Sequence, residues 1–195
     1  MQRLTTFDVE NTRGEIFHMI LFAMAWVMIG EYAIDFRDYA AAAGVVLVAV
    51  IILAFFSMSL YNLEDRLQED MPAVPSMGKR KSSSASRYAL IFILEGIAVM
   101  ATWMILIRTG RDQWLVPGFA LIAGLHFLPL ARVIRVNSYY SLGVWIALLA
   151  VAGYWLINSG RLSQAPGDAI ISYGCAVGAV ADAAWIAIRT KARIQ

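Results

Sequence analysis

Six stretches of the chain are mainly apolar, and each is long enough to cross a lipid bilayer. They are residues 15–33, 39–60, 88–107, 113–134, 140–157 and 168–188. A bilayer has a hydrocarbon core of about 30 Å, which a helix of about 20 residues can cross. Because backbone polar groups in lipid must bond to one another, stretches this long and apolar favour helices over barrel strands. The pattern therefore predicts an all-α membrane protein with six transmembrane helices.

The distribution of basic residues predicts the orientation of these helices. An even number of spans places both termini on one side, and twelve of the sixteen Lys and Arg residues fall on that side. The four on the opposite side are Arg37, Arg108, Arg111 and Arg161. Since cytoplasmic loops are enriched in Lys and Arg, both termini are predicted to be cytoplasmic. The connections on the opposite side are short, which predicts three helical hairpins.

The whole chain, residues 1–195, is predicted to form a single six-helix transmembrane domain with one long cytoplasmic loop, residues 61–87. The loop begins with Leu63, Leu67 and Met71 at four-residue spacing among acidic residues, which predicts an amphipathic extension of the second helix. Its later part, GKRKSSSAS, is basic and then serine-rich. That composition predicts a flexible linker.

Composition agrees with a membrane protein and excludes several soluble classes. Hydrophobic residues make up 60% of the chain and charged residues 15%, with a mean hydropathy of +0.64. Soluble domains are usually about a quarter charged. The single cysteine, Cys175, excludes an internal disulfide, and a net charge of +2 gives no sign of nucleic-acid binding. The H-E-x-x-H, G-x-S-x-G and dinucleotide-binding motifs are absent from the sequence.

Four ionisable residues within the apolar stretches are the candidate functional residues: His18, Glu95, His126 and Asp182. Each lies thirteen or fourteen residues from a charged residue at the outer end of its stretch, or ~20 Å along a helix. They are therefore predicted to form one layer. An ionised carboxylate in hydrocarbon costs at least ~2.5 kcal/mol, so Glu95 and Asp182 should face the interior, pair or stay protonated. The layer is predicted to bind or transfer protons or cations; the alternative is that it only joins helices by hydrogen bonds.

Glu95 and His126 are the closest pair that the pattern predicts. Their two stretches are joined by a short turn at residues 108–112, so they should pack as an antiparallel hairpin. Glu95 lies thirteen residues before Arg108 and His126 fourteen after Asp112, so the hairpin brings them level. Direct or water-bridged contact between their side chains is therefore predicted.

Pro117 and Pro129 predict breaks in the fourth helix on either side of His126. Pro129 has no N–H with which to bond the carbonyl of Leu125. Broken helices at membrane depth usually line a cavity or a site. The alternative is that Pro129 only kinks the helix near its end.

The segment GLHFLPLARVIRVNSYYSLGV, about a tenth of the chain, contains His126 and Pro129. It resembles a segment of small, uncharacterised bacterial multi-spanning membrane proteins that carry a G-x-H-F-x-P-L run. The resemblance implies a bacterial inner-membrane location and adds weight to these two residues. It implies no particular activity.

Together these features predict a small transporter or channel for a small solute or ion, and they leave open whether the protein is an enzyme. Proton coupling would use the buried Glu, His and Asp layer. One alternative is a membrane-embedded metal protein or enzyme, with His18, Glu95, His126 and Asp182 as candidate metal ligands. The other is a non-catalytic accessory subunit. The expected partners are the lipid bilayer, the transported solute or ion and, because six short helices enclose little volume, a second copy of the chain. The sequence identifies neither the substrate nor a cofactor.

Overall fold

The computed structural model describes residues 6–35, 39–69, 82–134 and 136–192, and these residues form an all-helical bundle. The α-helices are α1 (Thr6–Ala33), α2 (Tyr39–Glu69), α3 (Ser82–Arg108), α4 (Leu115–Ile134), α5 (Ser138–Asn158) and α6 (Gln164–Ala192). A short 3₁₀ turn, Asp112–Trp114, precedes α4. Every helix except α2 contains a segment of 19–27 residues that is long and apolar enough to cross a membrane, and α2 contains a shorter apolar stretch, Ala40–Phe55. The predicted all-α class with several membrane-type helices is therefore confirmed.

The helix boundaries differ most from the prediction around the long loop. α2 continues to Glu69, which agrees with the predicted extension of the second helix. α3 begins at Ser82, so residues 82–87 are helical and the linker predicted there was wrong in this part. Serine is a residue type that is favoured at helix N-termini, so a helix start within the serine run agrees with its general preference. Residues 70–81 of the predicted loop lie outside the described residues.

The most extensive helix interface joins α1 and α6, the first and last helices. They run antiparallel: a Cβ on Gly30 would lie 3.2 Å from Ser172 at one end, and Glu15 is close to Asp182 at the other. The α6 side of this interface consists largely of small buried residues: Cys175, Ala176, Ala179 and Ala183. Small side chains let helix backbones approach closely, which is how membrane helices pack in the absence of a strong hydrophobic driving force.

The second large interface joins α4 and α5 at Gly124 and Gly143. A Cβ on Gly124 would lie 2.7 Å from the backbone nitrogen of Ala147, and one on Gly143 would lie 2.7 Å from the carbonyl oxygen of Gly124. The two backbones are thus in direct contact. α5 also packs on α6, α3 packs on α4, and α2 packs on α1 and α6.

A tight turn holds α3 and α4 side by side. Gly110 has φ +63°, and the N–H of Arg111 donates to the carbonyl of Leu106 at 2.8 Å. This is a helix C-terminal motif that glycine favours because it has no Cβ to clash at positive φ. The chain then turns through Asp112–Trp114 into α4, so Glu95 and His126 lie on neighbouring helices.

Proline does not break α4, contrary to the sequence-based prediction. Pro117 lies in the first turn, where the missing N–H would have no helical partner in any case. Pro129 lies inside the helix, which continues to Ile134. The loss of one backbone hydrogen bond near a helix end is tolerated because the surrounding turns keep theirs.

Candidate functional site

Glu95 of α3 and His126 of α4 are in direct contact. The Oε1 atom of Glu95 lies 3.1 Å from Nδ1 of His126. The Glu95 side chain is 18% exposed and that of His126 is 6% exposed. The predicted contact between these two residues is therefore confirmed, although the sequence did not fix the rotation of the helices that makes it possible.

The hydrogen bonds of His126 define which ring nitrogen carries a proton. Nδ1 lies 2.8 Å from the carbonyl oxygen of Ala123, one turn earlier on α4. A carbonyl oxygen can only accept, so Nδ1 donates to it and is shared with Glu95. The other nitrogen, Nε2, is buried and has no hydrogen-bond partner among the described residues. In the neutral ring, Nε2 therefore has a lone pair available to accept a proton.

His18 of α1 joins this pair through Phe92 of α3. The Phe92 ring packs edge-on against His18, with centroids 5.2 Å apart, and lies 5.6 Å from the ring of His126. Nε2 of His18 is also buried without a hydrogen-bond partner in the described part of the chain. His18 is close enough to His126 and Glu95 to interact with their charges. Three of the four predicted site residues are thus brought together.

Aromatic side chains surround the pair on the α4 side. Phe127 stacks at 4.4 Å on His126, and its ring also contacts Phe22 at 5.2 Å and Tyr139 at 5.5 Å. Phe127 and Tyr139 are almost completely buried. In such an environment of low polarity, the interaction between an imidazolium and a carboxylate is stronger than in water.

Asp182, the fourth predicted residue, lies in a different group. It is 8% exposed and lies close to Glu15 of α1 and beside Ser138 of α5. It makes no ion pair with His18, Glu95 or His126 among the described residues. Asp182 instead lines a cavity of about 580 Å³ between α5 and α6.

Two further carboxyl groups, which sequence reasoning missed, are buried at the other end of the α1–α6 interface. Glu31 is 1% exposed and Asp168 is 5% exposed. The hydroxyl of Tyr173 donates to Oε1 of Glu31 at 2.7 Å. Both acids lie at the ends of apolar stretches, where a carboxylate ordinarily faces water. The sequence carries no signal that the folded bundle buries them.

The described residues do not assemble a metal centre. No group of three or more His, Cys, Asp or Glu side chains within them is arranged to hold a metal ion. The candidate ligands His18, Glu95 and His126 share one region, but Asp182 lies in another. The geometry therefore gives the metal alternative no support.

Fold and site together describe an all-helical bundle with several membrane-type helices and a buried carboxylate–imidazole pair. No protein-family model matches this chain, and neither a curated protein nor a solved structure is significantly similar to it.

Proposed function

We propose that this protein is a small integral membrane transporter or channel for a small solute or ion, with proton coupling at the Glu95–His126 pair. The observation that carries the proposal is the 3.1 Å contact between the two side chains, together with the unpartnered Nε2 of His126. Titratable groups inside membrane helices are costly to bury, and they typically mark ion or proton pathways.

In the proposed mechanism, a proton binds to Nε2 of His126 and converts the ring to an imidazolium. Glu95 balances that charge at 3.1 Å, so the proton is held without leaving a net charge in the bundle. When the proton leaves, the Glu95 carboxylate loses its counter-ion, and the contact between α3 and α4 at this pair weakens. His18, next to Phe92, is the adjacent group that can accept a proton. Such a change in pairing is the kind of local event that biases a two-state transporter.

The proposal includes six transmembrane helices with both termini cytoplasmic, in a bacterial inner membrane. Although the apolar stretch of α2 is short, the helix has 31 residues and a length of about 46 Å, which exceeds the bilayer core. The described outer faces of α2 and α3 carry many exposed apolar side chains, including Leu47, Ile51, Ile97 and Ile105. These faces would contact lipid or a second copy of the chain.

Proton flux into liposomes tests this function. The purified protein is reconstituted with a pH-sensitive dye inside the vesicles, and flux is measured after a pH step. Glu95→Gln and His126→Ala should each remove the protein-dependent flux, and the double variant should lose little more than either single one, because the two residues act as a unit. Glu31→Gln changes a buried carboxyl group elsewhere and should retain the flux.

Two results would contradict the proposal. One is a wild-type protein that carries no flux above empty vesicles under any tested gradient. The other is a flux that persists in both Glu95→Gln and His126→Ala, which would leave the pair with a role in helix packing only.

A further inference from the structure

The cavity between α5 and α6 is separate from the Glu95–His126 pair. Its volume is about 580 Å³, and its lining is mainly apolar with polar groups concentrated near the start of α5. Those polar groups are Asn137, Ser138 and Ser141, and Asp182 faces them from α6. Small-molecule sites in proteins typically have this volume and this combination of apolar walls with a few polar groups.

Asp182 is a buried carboxyl group that forms no ion pair with the described residues lining this cavity. It is 8% exposed, and its Oδ2 atom has no hydrogen-bond partner within the described residues. The hydroxyl group of Ser138 lies beside this carboxyl group. A second carboxyl group, that of Glu15 on α1, lies close enough to Asp182 for the two to interact. A buried carboxylate is stabilised by a cation that pairs with it, so a positively charged ligand in the cavity would satisfy Asp182.

Two indole rings give the same cavity aromatic walls. Trp145 of α5 and Trp185 of α6 both line it and are about half exposed. The Nε1–H of Trp145 donates to the carbonyl of Gly174 at 3.0 Å, which fixes the orientation of that ring. Indole faces attract cations, and they do so most strongly where the cation is removed from water.

Arg189 is the one basic side chain in the described lining, and it does not neutralise Asp182. Its guanidinium lies over the ring of Trp185, 5.4 Å from the centroid, at the far end of the cavity. Asp182 is seven residues earlier on α6, or about 10 Å along the helix. Among the described lining residues, the carboxyl end of the cavity therefore has no basic side chain.

We propose that this cavity binds a small organic ammonium compound, with the charged nitrogen at Asp182 and the apolar part against Trp145. Ser138 and Ser141 can accept hydrogen bonds from the ammonium N–H groups. The volume is much larger than an inorganic cation needs, and aromatic walls match a carbon-containing body. The proposal stands independently of proton coupling at Glu95 and His126.

Titration of the purified protein with n-butylammonium at neutral pH tests this site. Tryptophan fluorescence reports binding, and ionic strength is held constant with sodium chloride. The expected result is a saturable change with n-butylammonium and none with n-butyrate, which has a similar size and the opposite charge. Potassium chloride should also give no saturable change. A response to butyrate, or equal responses to butylammonium and potassium, would overturn the assignment to an organic cation.

Substitutions show where butylammonium binds and whether that site is distinct from the Glu95–His126 pair. Asp182→Asn should weaken butylammonium binding roughly tenfold or more, because a charge-assisted contact is lost. Asp168→Asn is the matched control, since it changes another buried Asp of α6 outside the cavity, and it should bind normally. Arg189→Gln should strengthen binding by removing a like charge, and Glu95→Gln should leave it unchanged. Wild-type affinity in Asp182→Asn, or weaker binding in Arg189→Gln, would contradict the proposed pose.

Melting temperatures show whether each variant is folded. If Asp182→Asn does not fold, Trp145→Phe provides the second test: binding should weaken and the fluorescence change should shrink, while butyrate remains without effect. Unchanged binding in Trp145→Phe would place the ligand elsewhere.

Discussion

Glu31 is the most deeply buried carboxyl group among the described residues, at 1% exposed. Its Oε1 atom accepts a hydrogen bond from the hydroxyl of Tyr173, while Oε2 has no partner within the described residues. Tyr173→Phe removes that bond, and both oxygens are then without a hydrogen-bond donor among the described residues. We expect this to destabilise the α1–α6 interface by about 1–3 kcal/mol. The measurement is the melting temperature of the purified protein in detergent.

Tyr154→Phe is the matched control for that substitution. The ring of Tyr154 packs against that of Trp114, with centroids 5.4 Å apart, and the Tyr154 hydroxyl makes no hydrogen bond within the described residues. Removing this hydroxyl should change the melting temperature little. Equal melting temperatures for the two variants would mean that the Tyr173–Glu31 bond contributes nothing measurable.

At the scale of residues, the sequence predicted how far along its helix each ionisable residue lies, but it did not predict which neighbouring helix the side chain faces. Counting from the turn at residues 108–112 placed Glu95 and His126 level, because helix rise is constant. The same counting put Asp182 at that depth but could not show that it faces Glu15 and Ser138. Such contacts depend on which helices pack together. Because α1 and α6 are far apart in the chain, the sequence did not show that they are neighbours.

The contact of α4 with α5 provides a test at the scale of helices. Gly124→Ala would place a Cβ 2.7 Å from the backbone nitrogen of Ala147, and neither backbone can move without separating the helices. Overpacking of this kind typically costs about 1–3 kcal/mol. We expect a clear decrease in the melting temperature, and some loss of the His126–Glu95 contact because His126 lies on the displaced helix.

Gly96→Ala is the control for this prediction. Gly96 is also in a helix, but a Cβ there would meet no atom within 4 Å. Because alanine is the better helix former, this variant should be as stable as the wild type or slightly more stable. If Gly124→Ala proved equally harmless, the close approach of α4 and α5 would not be needed for folding.

Helix ends followed hydropathy closely where the chain enters and leaves apolar segments. The fifth predicted stretch, 140–157, lies within α5 (Ser138–Asn158), and the fourth ends at Ile134 as predicted. The differences arise where polar sequence continues a helix, as at Ser82, or where proline is accommodated, as at Pro129. Hydropathy indicates which residues are apolar enough for a lipid environment. It does not indicate whether the polar residues next to them continue the helix.

At the scale of the whole molecule, chain order alone did not predict the packing. The sequence predicted three hairpins of successive helices, and successive helices do contact one another in α3–α4 and α5–α6. The α1–α6 interface, however, exceeds each of these. The small buried residues Ala176, Ala179 and Ala183 of α6 explain it, since small residues set how closely two helices can pack. The outer, apolar side of α3 is left exposed in the single chain.

The orientation of the bundle is the last prediction, and it depends on the bias of Lys and Arg toward one side. Cys175 is buried and is replaced by Ala, and single cysteines are then introduced at Ser83 and Ser163. Ser83 is near the start of α3, whereas Ser163 is exposed in the turn between α5 and α6. In intact bacterial cells, a membrane-impermeant maleimide should label the Ser163→Cys protein, and it should label the Ser83→Cys protein only after permeabilisation. Labelling of the Ser83 position alone in intact cells would reverse the orientation, and labelling of both would mean that the two positions do not lie on opposite sides of the membrane.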